Sequence, residues 1–152
     1  MKGGAFVIFA ILVAGFAATV TAANDGGSDE RFGYITVRDM TITLEKDDAW
    51  IDMNYTIDDG THLIVLLLGK NDLKNKISKM LNLPDAQFRS IETDSAEIFV
   101  PGFAYDYGRG IHWFPEHRFN VMIPVLRVIS PQVSRDYTMT NRFPNGIGYF
   151  DP

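Results

Sequence analysis

The sharpest chemical candidate in the sequence is His112-Trp113-Phe114-Pro115-Glu116-His117. Two imidazoles with a carboxylate between them are zinc donors, because neutral His nitrogen and carboxylate oxygen are ligands that Zn²⁺ prefers. A helical zinc motif places its two His four apart with the Glu on the same face. Here they are five apart and Pro115 forbids a regular helix, so a metal set of His112, Glu116 and His117 competes with a plain loop carrying surface His residues. The remaining His62 is distant in sequence.

The same stretch is rich in rings. Phe99, Phe103, Tyr105, Tyr107, Trp113, Phe114 and Phe119 fall within 21 residues. If several share an exposed face they stack on sugar rings or dock a protein, because Tyr and Trp join apolar area to a polar tip. Tyr105, Tyr107, Trp113 and Phe114 are the ligand-contacting candidates, with Asp106 and Arg109 beside them. The competing reading makes most of these rings the cap of a sheet's open end, as core.

Nucleophilic catalysis finds no support. The chain has no Cys, no Gly-x-Ser-x-Gly elbow and no Ser-x-x-Lys element. A glycosidase needs two carboxylates facing a cleft, but among 19 acidic residues mere proximity of a pair carries no information. Asp47-Asp48, Asp58-Asp59-Gly60 and Asp25 with Asp29-Glu30 are rich in oxygen yet lack the spacing of a calcium loop; adjacent Asp residues are turn formers. The expectation is a non-catalytic protein with no cofactor, with a metal-dependent enzyme built on His112, Glu116 and His117 as the last alternative. Asn54-Tyr55-Thr56 is a glycosylation sequon, which an exported chain would present for modification at Asn54.

Export is indicated by the order of residues at the start. Lys2 precedes an apolar and small-residue run from Ala5 to Ala18, and Val20-Thr21-Ala22-Ala23 supplies small residues for peptidase cleavage. Ala5 to Ala23 also comes close to the ~20 apolar residues of a spanning helix, so residues 1–23 are a cleaved signal peptide or a retained anchor helix. The pilin-like processing site suggested by Lys2-Gly3 lacks its usual polar residue. Residues 24–31 are polar and read as a flexible linker, and 32–152 as one domain. The expected location is extracellular or at the cell surface, with the membrane reached only through the N-terminal segment. Net charge is −5, with 14 Lys and Arg against 19 Asp and Glu, which gives no electrostatic basis for nucleic acid as a partner. Protein or envelope components remain, with carbohydrate as the alternative.

The elements that must position these residues are mostly strands. Met40 to Glu45 and Ala49 to Asp58 alternate with period two around Lys46-Asp47-Asp48, the pattern of a hairpin. Ile35 and Val37 have the opposite parity, which a bulge near Arg38-Asp39 reconciles. Leu63 to Leu68 is unbroken apolar, as for a strand covered on both faces. Asn71 is a plausible N-cap, and Leu73, Ile77, Met80 and Leu81 give an amphipathic helix over 72–82, stopped before Pro84. Phe88 to Glu92 and Ala96 to Val100 form a second hairpin. Phe119 to Ile129 is a long strand whose Pro124 implies an edge or a bulge. Tyr137 to Thr140 and Ile147 to Phe150 are short closing strands around Phe143-Pro144-Asn145-Gly146. The predicted class is α+β: a mostly antiparallel, sandwich-like sheet with one helix.

The run Ala49-Trp50-Ile51-Asp52-Met53-Asn54-Tyr55-Thr56-Ile57-Asp58, then Leu63 to Gly69, then Asp72-Leu73-Lys74-Asn75-Lys76-Ile77 resembles a group of uncharacterised exported proteins of methanogenic archaea. The resemblance covers residues 49–82, about a quarter of the chain. It implies an archaeal envelope location and carries no activity or site residues with it.

Overall fold

The computed structural model describes residues 32–60 and 69–152. The expected signal or anchor (1–23) and linker (24–31), His62 and the apolar run Leu63 to Leu68 lie outside the described residues. Those described fold as α+β, with strands β1 (Ile35–Glu45), β2 (Asp48–Ile57), β3 (Gln87–Ile91), β4 (Ser95–Val100), β5 (Tyr105–Asp106), β6 (Ile111–Phe114), β7 (His117–Ile129), β8 (Ser134–Phe143) and β9 (Ile147–Phe150), and helix α1 (Lys70–Leu81) between β2 and β3.

Six strands form one sheet in the order β3-β4-β2-β1-β7-β8, and three form a second in the order β5-β6-β9. Pairing is antiparallel except between β1 and β7, which run parallel from Met40↔Leu126 to Thr43↔Ile129. The sheet is therefore mixed rather than uniformly antiparallel.

Alternation in β1 and β2 explains the core. Ile51, Met53 and Tyr55 are buried while Asp52, Asn54 and Thr56 are exposed. Register runs from Glu45↔Asp48 to Ile35↔Ile57 and slips between Val37 and Asp39, where Arg38 is the extra residue. That bulge keeps Ile35, Val37, Met40, Ile42 and Leu44 all on the buried face despite their change of parity. Against this face packs α1, whose Leu73, Ile77, Met80 and Leu81 are fully buried.

Three expectations are corrected. The helix begins at Lys70 behind Gly69, which has φ +81° and no side-chain cap, so Asn71 lies inside the first turn rather than capping it. Its end is left-handed at Asn82, two residues before Pro84. Secondly, β8 spans ten residues, because it lies at the sheet edge with both faces largely wet and shows no apolar rhythm to read. Thirdly, β8 and β9 do not pair with each other. The Phe143 to Gly146 turn instead carries the chain from the large sheet to the small one.

Pro124 lies within β7, which is interior rather than an edge. The strand bulges beside it: between Arg118↔Arg142 and Ile123↔Thr140, Phe119 to Met122 stand opposite Asn141 alone. Pairing with β1 starts only at Leu126, so that ladder does not need the N–H that Pro124 lacks. Side chains from β7 also complete the helix end, where carbonyls lack intrahelical partners. His117 Nε2 donates to Leu81 O at 2.8 Å, and Asn120 Nδ2 donates to Lys79 O at 2.8 Å.

The small sheet is tied to the large one at the β1–β2 turn. Asp48 Oδ1 accepts from Gly102 N, Asp47 O from Ala104 N and Asp151 Oδ2 from Lys46 N, and Tyr149 OH donates to Lys46 O. Asp47 and Asp48 thus act as a docking turn.

Candidate functional site

The geometry of the ring-rich segment follows from the small sheet's alternation. In β6, His112 and Phe114 point inward while Ile111 and Trp113 point out; in β9, Ile147 and Tyr149 point inward while Gly148 and Phe150 point out. Register aligns Tyr105 with Trp113 and Trp113 with Gly148 in one row, and Ile111 with Phe150 in the next. Tyr107 N donates to Ile111 O at 2.9 Å, which places Tyr107 at the end of that second row. Exposure is 61% for Tyr105, 69% for Tyr107, 52% for Ile111, 39% for Trp113 and 51% for Phe150. The outer face of this three-stranded sheet is a continuous aromatic and aliphatic surface.

Glycines shape it. A Cβ on Gly146 would meet Trp113 Cζ2 at 2.6 Å, and one on Gly148 would meet Trp113 Cε3 at 3.4 Å. Atoms at both ends of the indole's six-membered ring therefore rest on glycine backbone, and the ring lies down on the sheet. The hairpin tip Gly108-Arg109-Gly110 has positive φ throughout and is closed by Gly108 N donating to Asp106 Oδ1 at 2.7 Å. Arg109 makes no ion pair within the described residues. Gln132, on the β7–β8 turn, brackets the outer edge of β9: its Nε2 donates to Phe150 O at 2.6 Å and its Oε1 accepts from Phe150 N at 3.0 Å.

The sequence candidates divide. Tyr105, Tyr107 and Trp113 share the exposed face. Phe114 does not, being 0% exposed and packed with Phe103 and Phe143 at ring centroid distances of 4.9 Å each. Its place one residue past Trp113 turns it into the core. Phe119 is also buried, and Phe99 pairs with Trp50 on the large sheet. Ile111, Phe150 and the two glycines belong to the face but were not singled out from sequence. Their parity was legible; their adjacency required the β6–β9 pairing, which joins segments far apart in the chain.

His112, Glu116 and His117 do not converge. Among the described residues no three His, Asp or Glu side chains are grouped so as to hold a metal ion. Neither imidazole is a surface loop residue. His112 is buried, stacks on Tyr149 and donates from Nε2 to Asp151 O at 3.1 Å; its Nδ1 has no hydrogen-bond partner among the described residues and lies 4.0 Å from Asp106 Oδ1. His117 is held by the Leu81 carbonyl, and burial pushes its pKa below the ordinary value. Glu116 lines a groove of about 550 Å³ together with Arg118 and Arg142.

Asn54 is exposed on the outer face of β2, and its Nδ2 donates to Asp39 Oδ1 at 2.7 Å. On the same face, Trp50 and Phe99 lie in register at 4.8 Å with the Arg89 guanidinium over both rings. Beside them Asp52 faces Glu97 directly across the strands.

No family model matches this chain, and no curated protein or solved structure matches it either.

Proposed function

We propose that this protein is an exported, non-catalytic binding domain that attaches to an envelope component through the outer face of its small sheet. The observation that carries the reading is the set Tyr105, Tyr107, Ile111, Trp113 and Phe150, five large side chains left in water on one flat face. Monomeric domains rarely leave such a patch unused. Location at the cell surface, by release or by an N-terminal anchor, rests on the leader-like order of residues 1–23. Modification at exposed Asn54 fits the same compartment.

Fractionation of the native host tests the reading. The chain is expected in the envelope or the medium, and isolated envelope material should retain the wild type while releasing Trp113→Ala. Recovery in the cytoplasm would refute export. Retention indifferent to Trp113 would refute the binding face.

A further inference from the structure

The envelope component can be narrowed to a class of chemistry, an inference that rests on the binding face proposed above. At ~200 Å² per large side chain, the exposed fractions on this face amount to roughly 500 Å². A stable protein interface needs about 800 Å² from each partner. The patch is therefore too small for a lasting dimer of this chain; it has the size of the largest apolar patch on a typical monomer, which is often a functional one.

Three features describe what fits it. First, the scaffold of the face is held in place: the Trp113 indole lies against Gly146 and Gly148, the hairpin tip is closed by Asp106, and the Phe150 backbone is bracketed by Gln132. The Trp113 platform therefore has little ordering entropy to lose when a ligand lands on it. Secondly, none of its five side chains is charged, so an ionic ligand finds no counter-charge among them. Thirdly, the face carries polar groups as well as rings: the phenols of Tyr105 and Tyr107 and the indole N–H of Trp113, with exposed Arg109 at the hairpin tip. The π-face of an aromatic ring is negative and attracts the weakly positive axial C–H groups of a pyranose, while the sugar's equatorial hydroxyls meet those polar groups.

We infer that this face binds an extended β-linked polysaccharide, whose sugar rings lie in one ribbon, with Trp113 as the principal stacking platform and Tyr105, Tyr107 and Phe150 extending it. An array in two rows suits a ribbon. A coiled α-linked chain would touch it at isolated points.

The full chain in mild detergent should be depleted from solution by insoluble cellulose or chitin and ignored by α-linked amylose and dextran. Binding should change little with added salt, since no ion pair is formed. Trp113→Ala should weaken it about tenfold, the equivalent of one lost aromatic contact. Because Trp113 also rests on Gly146, Tyr107→Ala supplies a second variant that weakens binding with an unchanged melting temperature. Preference for the α-linked polymers would overturn the ribbon assignment. Binding to no polysaccharide, with envelope retention still dependent on Trp113 and Tyr107, would overturn the carbohydrate inference and leave the binding face standing. Retention indifferent to both residues would remove both.

Discussion

At the scale of single residues, the decisive contrast lies between neighbours that differ only in parity. Trp113 and Phe114 are adjacent, yet one rests on the outer face and the other fills the core between Phe103 and Phe143. The glycines beneath Trp113 are equally specific. Gly146 has φ +56°, where L side chains are strained, and a Cβ there would also meet Phe114 O at 2.7 Å. Gly146→Ala is therefore expected to combine backbone strain with displacement of the indole. Each is worth on the order of 1 kcal/mol or more. Denaturant titration should show a loss of roughly 1–3 kcal/mol, and Trp113 emission should change in the native state. A variant as stable as the wild type with the same emission would mean that the indole does not rest on this glycine.

At the scale of elements, the small sheet depends on contacts made from outside it. β9 is an edge strand whose outer backbone is satisfied at Phe150 by the two-way bracket from Gln132. Gln132→Ala removes two hydrogen bonds worth about 1 kcal/mol each, and the loss should appear as local opening rather than global unfolding. Amide exchange at Phe150 should accelerate several-fold while that of β1 and β2 stays put; exchange unchanged at Phe150 would deny the bracket its role. The same element shows why legibility was uneven. β1, β2 and their bulge could be read because each alternates over a long run and the parity break at Arg38 is local. The α1 face could be read because Leu73, Ile77, Met80 and Leu81 repeat at helical spacing. β8 could not, since an edge strand wet on both sides leaves no apolar signature. Nor could the face itself, because Trp113 and Gly148 meet only through a pairing of distant segments. The inward placement of His112 and His117 was hidden for a related reason: each imidazole is turned to a backbone carbonyl, a partner that sequence does not show.

At the scale of the whole molecule, several titratable groups join elements and so couple its stability to pH. His117 links β7 to the end of α1, and burial holds its pKa below the ordinary value near 6.5. The unfolded chain then takes up the proton first, so this contribution is complete above about pH 6.5 and declines as pH falls through the lowered value. Asp136, paired with Arg127, is likewise lowered, but it is solvent-exposed and acts only in the carboxylate range. On the alkaline side stand three tyrosines. Tyr149 is pushed up to about 12, chiefly by burial. Tyr55, which donates to Glu92 O at 2.6 Å, and Tyr34, which donates to Asp72 Oδ2 at 2.6 Å, are raised further by burial and nearby carboxylates. In each case the unfolded phenol ionises first, near pH 10. Their contribution is thus complete below that pH and is lost as pH rises through the raised values. The expected profile of unfolding free energy is a plateau between about pH 7 and 9.5 with a fall on either side. His117→Gln should flatten the upper part of the acid limb, leaving the carboxylate-driven part below pH 5. Tyr55→Phe should lower the plateau by about 1 kcal/mol through the lost, part-buried hydrogen bond to Glu92 O and reduce the alkaline slope. Denaturant titrations at half-unit pH steps would decide it: limbs that keep their slopes in both variants would show that these groups do not govern the profile.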